Sequence, residues 1–211
     1  MSDEVVDAVR RRFDGRAATY DESAMHRDLA VAVAEFVDVA PGAAVLDVAT
    51  GTGLVLRALT AQGGVRPLRT AGVDVSPGMV EVARRHLPDA TLVVADARRL
   101  PFPDASFDLV TCVTGLHLIP DTPVVLAQWA RVLRLGGVAV TATFAAFDAS
   151  RHHREHTGPA PAPYPLRHDE FRTPEGLAAA AAPHGFRLRR STTWSDGFDT
   201  LLVAELALTE A

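Results

Sequence analysis

The stretch Val45-Leu46-Asp47-Val48-Ala49-Thr50-Gly51-Thr52-Gly53 decides the fold. A short apolar run, 44–49, enters a turn carrying two glycines, and residues 54–62 then read as a helix ending at Gly63–Gly64. Glycine lets a backbone approach a ligand where a Cβ would collide. A strand feeding such a turn and then a helix is the first βα unit of a doubly wound sheet. Nucleotide-like ligands bind there, outside the carboxyl ends of the strands. Gly-x-Gly alone is a weak signal. What surrounds it gives it weight.

On the C-terminal side the chain alternates. Residues 70–75 read as strand, and Pro77 opens a helix to about His86, since proline suits a first helical turn. Residues 91–96 and 107–115 read as strands, 122–135 as helix, and Gly136–Gly137 leads into a strand over 138–144. Strands alternating with helices argue for a parallel sheet covered on both faces, and near-continuous apolar strands such as Leu92-Val93-Val94-Ala95 fit that burial. Residues 145–172 break the rhythm with His152, His153 and His156 and a tract of alternating prolines, Pro159 to Pro165. Thr173-Pro174-Glu175 then caps a helix ending near His184–Gly185, and 186–194 and 200–208 form a closing pair of strands. On the N-terminal side, Val5, Val6, Val9 and Phe13 recur at helical spacing, and 27–39 repeat the pattern before Pro41–Gly42.

Three acids are placed along this frame. Asp47 ends the first strand inside the loop. Asp74 ends the second strand about twenty residues after the glycine turn, where an acid can bond ribose hydroxyls. Asp96 ends the third, beside the place for an adenine. Three carboxylates around one crevice oppose a doubly negative pyrophosphate and suit a ligand carrying ammonium and sulfonium charges. Leu56 also stands where a dinucleotide fingerprint carries Gly or Ala. Spacing and charge both prefer S-adenosylmethionine to NAD. The bland alternative for Asp47 and Asp74 is an acid capping a turn.

The segments 45–53, 72–84, 95–110 and 133–144 resemble, in order, the motifs of class I methyltransferases. They are most similar to the ubiquinone/menaquinone-biosynthesis and methyltransferase type 11 group, and residues 11–22 are similar to that group's N-terminal cap. Ala49 departs from the first glycine of many members, although alanine is common there in the quinone-type subgroup. The resemblance implies an α/β, Rossmann-like, seven-stranded and mostly parallel sheet, its last strand antiparallel, with helices on both faces. It implies that Asp47, Ala49, Gly51 and Gly53 cradle the methionine portion, with Asp47 reaching its ammonium. Asp74 takes the ribose hydroxyls, Val75 and Met79 lie against the adenine, and Asp96 accepts from the adenine amino group beside Ala97. Val113 and Thr114 lie near the sulfonium, and Tyr20 closes over the cofactor. The implied reaction is methyl transfer to an O, N or C atom of a small molecule, leaving S-adenosylhomocysteine and using no metal. Two other functions for the same cofactor site stay open: a cyclase or decarboxylase that binds it without transferring methyl, and a non-catalytic binding partner.

The single domain then divides into an N-terminal helical cap (1–40), a cofactor-binding core (41–144), a substrate-side loop (145–172) and a closing helix with two strands (173–211). The acceptor pocket is expected from 11–25, 115–120 and 145–170. Phe144, Phe147, Tyr164 and Phe171 favour an apolar or aromatic acceptor. His117 borders the expected methyl position and is the candidate base, its ordinary pKa being ~6.5; the alternative is packing at a helix start. Cys112, mid-strand, reads as a small core residue. His152, His153 and His156 read as a solvated loop rather than a metal site, which generally needs three or four ligands.

Composition bounds the chemistry. The 211 residues are 48% hydrophobic, enough for one domain with a real core. All 21 basic side chains are Arg, with no Lys and no Asn, which excludes a catalytic lysine and any Asn ligand. The net charge of −5 and the scattered Arg pairs argue against a nucleic-acid partner. No apolar stretch approaches the ~20 residues of a membrane helix, the N-terminus lacks the apolar core of a signal peptide, and one cysteine makes no internal disulfide. A cytoplasmic protein of undetermined oligomeric state is the expectation.

Overall fold

The computed structural model describes residues 2–62, 68–146 and 166–209. The strands are β1 (Ala44–Val48), β2 (Arg69–Asp74), β3 (Thr91–Val94), β4 (Phe107–Val113), β5 (Leu133–Ala146), β6 (Phe186–Ser195) and β7 (Thr200–Leu208). They form one sheet in the order β3-β2-β1-β4-β5-β7-β6. β1 pairs in parallel with both β2 and β4, and β4 with β5, while β7 runs antiparallel between β5 and β6. The expected topology is therefore the observed one. Strand order reverses between β1 and β4, so the crevice at their carboxyl ends is the topological switch point.

Seven α-helices are described: α1 (Ser2–Asp14), α2 (Ala24–Phe36), α3 (Leu54–Ala61), α4 (Pro77–His86), α5 (Thr122–Val132), α6 (His168–Phe171) and α7 (Pro174–Ala181). Side chains alternate across a strand, and β1 shows the consequence. Leu46 and Val48 pack into one apolar layer with Leu126 and Trp129 of α5 and Leu177 of α7. Val45 packs into the opposite layer with Leu29 and Val33 of α2, Leu56 of α3 and Val80 of α4. All five β1 residues are buried, as a strand covered on both faces requires.

Three elements differ from the sequence reading. α2 begins at Ala24 rather than 27 because the Ser23 side chain accepts the His26 backbone N–H and caps the helix earlier. The helix expected to 135 stops at Val132, and the strand expected from 138 begins at Leu133. Leu133 is buried and pairs with Phe107, and the register shifts before pairing resumes at Val138. Part of the irregular stretch 145–172 is helical, as α6. Phe147, Tyr164, the three histidines of 152–156 and the proline tract lie outside the described residues. No helix among the described residues is long and apolar enough to cross a membrane.

Candidate cofactor site

The loop after β1 needs unusual backbone. Ala49, Gly51 and Gly53 all have positive φ, at 56°, 56° and 84°. Glycine adopts such angles freely, whereas Ala49 must be held there by its surroundings. Gly53 carries a second constraint, since a Cβ on it would meet Leu87 Cδ1 at 2.7 Å. Gly53 thus has a packing role, letting α3 start against the end of α4.

Asp47 is buried at 1% exposure and accepts a hydrogen bond from Thr111 Oγ1 at 2.7 Å. Burial pushes its carboxyl up to about 7, with the Thr111 bond opposing and the Asp74 charge adding to the rise. Asp74 is also raised, mainly by burial, although backbone donors from Ser76, Gly51 and Val75 oppose the rise. Its Oδ2 accepts from Gly51 N at 2.8 Å and its Oδ1 from Ser76 N at 2.9 Å. A carboxylate offers about four acceptor positions, so these backbone donors do not fill it.

Asp96 is occupied differently. Its oxygens take the Arg98 guanidinium at 2.7–2.9 Å and the Arg98 backbone N–H at 2.8 Å. Arg98 also reaches Asp121 and Asp3. Sequence reasoning counted Arg98 only among the scattered Arg pairs and missed this hub; only the nearness of Asp96 in sequence hinted at it.

Between these elements lies a cleft of about 690 Å³ of open space. Tyr20, Ala49, Gly51, Asp74, Val75, Met79, Asp96, Ala97, Val113 and Thr114 line it, so ten of the expected contacts meet in one place. α1 adds an apolar roof of Val6, Val9 and Phe13. A smaller cavity of about 370 Å³ adjoins it over the glycine loop and includes Asp47. Tyr20 and Thr114 line both. Their side chains are hydrogen-bonded, burial pushes the Tyr20 phenol up to about 12, and Thr114 has φ 53°. A β-branched residue in that conformation is strained.

Two more N-terminal acids were missed. Asp14 accepts from Ser76 Oγ at 2.6 Å and from Gly78 N at 3.0 Å. Asp21 accepts from Thr52 Oγ1 and pairs with Arg57 at 2.6 Å.

His117 lies in a 3-10 turn, Leu116–Leu118, and lines neither cavity. Its ring stacks on His168 at 4.3 Å and meets Phe144 edge-on at 5.4 Å. Burial, then the His168 charge, push it down to about 3, and Nδ1 has no partner among the described residues. Phe171 is fully buried and Phe144 nearly so. The expectation that these two rings face an acceptor is corrected: both are used as core, with Phe171 packed beside α7 and Phe144 in the opposite layer. Cys112 is fully buried.

The cleft can be tested against the implied cofactor on charge. Two acids and no basic side chain line the larger cavity, and buried Asp47 lines the smaller. Burial raises both Asp47 and Asp74, with the Asp74 charge adding to the first and the Asp14 charge to the second, and a cationic ligand favours the charged form of each. The residues fit S-adenosylmethionine.

A family model described as a methyltransferase domain matches residues 46–141. The chain is 36% identical over 149 residues to the demethylmenaquinone methyltransferase of Renibacterium salmoninarum, covering 65% of this chain and 59% of that protein. It is 39% identical over 117 residues to the ubiquinone/menaquinone biosynthesis C-methyltransferase of Stenotrophomonas maltophilia, covering 53% of this chain and 46% of that one. A solved S-adenosylmethionine-dependent methyltransferase of Aquifex aeolicus shares the fold, with a TM-score of 0.67 at 17% identity over 85% of this chain and 89% of that one. The matches span 59% and 46% of the length of these two curated relatives.

Proposed function

This chain belongs to the class I methyltransferases, in the methyltransferase type 11 and ubiquinone/menaquinone-biosynthesis group, and we propose that it methylates a small molecule at the expense of S-adenosylmethionine. One observation carries the proposal: the acid-lined, base-free cleft at the β1/β4 switch point. When bound, the cofactor supplies an electrophilic methyl group on a sulfonium and leaves as S-adenosylhomocysteine.

The chain's own residues bind and align. Asp47, ionised, pairs with the ammonium, and the backbone of Ala49 and Gly51 receives the methionine portion while Gly53 shapes the turn. Asp74 offers its remaining acceptor positions to the ribose hydroxyls. Val75 and Met79 pack against the adenine, with Asp96 and Ala97 at its amino edge. Val113 and Thr114 stand at the waist between the cavities, where the sulfonium belongs, and Tyr20 covers it together with the 1–40 cap. Alignment of two reactants alone can supply ~7–11 kcal/mol of a barrier. His117 is the candidate proton acceptor, but a base for neutral pH needs a pKa near ~7. In its buried setting it accepts poorly, so it acts only if the acceptor's arrival rehydrates or polarises the ring.

The relatives' names point to a quinol-like acceptor, an aromatic molecule whose ring or hydroxyl takes methyl. The test incubates the protein with S-adenosylmethionine and a panel of prenylated demethylquinols, simple phenols and small amines, following S-adenosylhomocysteine. Turnover with an aromatic member supports the reading. Absence of S-adenosylhomocysteine binding by calorimetry overturns it.

A further inference from the structure

Three walls of the larger cavity meet at one side chain, Arg98. Asp96 and Ala97 line the cavity after β3, Val6 and Val9 line it from α1, and the turn ending at Pro120 lines it before α5. The Arg98 guanidinium bonds an acid of each wall. Its Nε and Nη2 donate to Asp96 Oδ2 at 2.9 and 2.7 Å, Nη2 also to Asp3 Oδ1 at 2.8 Å, and Nη1 to Asp121 Oδ2 at 3.2 Å. Asp3 stands one turn before Val6, and Asp121 directly follows Pro120. Asp96 is the best covered of the three partners, at 29% exposure against 44% for Asp121 and 91% for Asp3, and it takes most of the donors.

We infer that Arg98 is a positioning residue that sets the base specificity of this site, by holding the Asp96 carboxylate in one orientation. This rests on the S-adenosylmethionine reading above. Asp96 takes three N–H groups from Arg98: Nε, Nη2 and, on Oδ1 at 2.8 Å, the backbone N–H. A carboxylate has about four acceptor positions, so about one is left for a base. A guanidinium presents donors alone, in a rigid fork. It therefore fixes the plane of the carboxylate and leaves the last position an acceptor. The exocyclic amino group of adenine can donate there. The carbonyl that hypoxanthine carries at the same place cannot, and meets oxygen with oxygen. Without the guanidinium, the backbone N–H alone holds Asp96, whose terminal torsion is broad. The turned carboxylate then neither draws the amino group nor repels the carbonyl as well.

The experiment compares two ligands by calorimetry: S-adenosylhomocysteine, and S-inosylhomocysteine, which carries hypoxanthine in place of adenine. The unmutated protein should prefer the first. In Arg98→Ala that preference should shrink at least roughly tenfold, the scale of one hydrogen bond to a charged group, because affinity for the adenine ligand falls and affinity for the other does not fall with it. Arg98→Lys keeps the charge without the fork and should also lose part of the preference, which keeps the inference testable if the alanine variant does not fold. Asp3→Ala frees α1 alone and should leave the preference as it was. Equal weakening of both ligands in the Arg98 variants means that Arg98 only fastens the walls together, and overturns the inference. So does no change in either affinity, or an unmutated protein that binds both ligands equally. If the unmutated protein binds neither ligand, the cofactor reading itself falls.

Discussion

Asp74 accepts the backbone N–H of Gly51 through one carboxylate oxygen at 2.8 Å, and so ties the loop after β1 to the end of β2. Its other oxygen holds Ser76 N, the start of α4. One side chain thus shapes both loops that the ribose would touch. Asp74→Asn keeps one acceptor oxygen but replaces the other with a donor facing an N–H group. Affinity for S-adenosylhomocysteine should fall at least roughly tenfold, measured by calorimetry. Asp74→Ala, which frees both loops, should lose as much affinity and also melt earlier. Unchanged affinity in both variants removes Asp74 from the site.

Two buried groups titrate in opposite senses. Asp47, raised to about 7, favours the folded state when protonated, so its contribution is present below the unfolded value of ~3.9 and is lost as pH rises through about 7. His117, lowered to about 3, contributes stability above the unfolded value of ~6.5 and loses it as pH falls towards about 3. Between about pH 4 and 6.5 the two offset each other. Over that range, thermal melts of the ligand-free protein should show stability falling with acid in Asp47→Asn and rising with acid in His117→Gln, with the unmutated chain between them. Ligand affinity should weaken below about pH 7 as Asp47 protonates, and Asp47→Asn should abolish that dependence.

The sheet was legible because its rules are local: apolar runs of strand length, glycine or proline at the turns, and acids at the strand ends. The cleft followed from those strand ends. The N-terminal pins did not. Asp3, Asp14 and Asp21 find partners 31–95 residues away, and no periodicity records such pairings. Phe144 and Phe171 misled for a related reason. An aromatic ring near a site reads the same whether it faces a ligand or the core, and burial separates the two only after the chain is packed.

Gly115 follows Thr114, and a Cβ on it would stand 2.7 Å from the Ala49 Cβ and 3.1 Å from Cys112 Sγ. Gly115→Ala should therefore destabilise the chain, by about 1–3 kcal/mol as overpacking usually does. Ala49→Gly removes the closer of these atoms and relieves a positive φ. Alone it should be near neutral, since relief of ~1–2 kcal/mol of left-handed strain is partly offset by ~0.5–1 kcal/mol of glycine entropy. Combined with Gly115→Ala it should recover most of the loss. Additive denaturant midpoints in the double variant would show that the two positions do not share this contact.

The roof over the cleft is fastened at three points, one behind each of the first three strands. Asp3 meets Arg98 after β3, Asp14 meets Ser76 and Gly78 after β2, and Asp21 meets Thr52 and Arg57 after β1. Between the pins, Val6, Val9, Phe13 and Tyr20 face the cleft, and a ligand of adenosine size is expected to enter by lifting this segment. Asp3–Arg98 and Asp21–Arg57 are partly exposed ion pairs, which contribute about 0.2–1 kcal/mol, and Asp14 adds hydrogen bonds to Ser76 and Gly78. They set how often the roof opens rather than whether the sheet folds. Asp14→Ala and Asp21→Ala should each speed S-adenosylhomocysteine dissociation about two- to fivefold, and together multiply, because the two sites share no partner. Hydrogen exchange over residues 2–23 should quicken in step, while the melting temperature moves little. Raising ionic strength should speed release from the unmutated protein and have less effect on the double variant. If exchange over 2–23 is unaltered in that variant, the apolar side chains of α1 hold the roof by themselves and the pins carry no part of it.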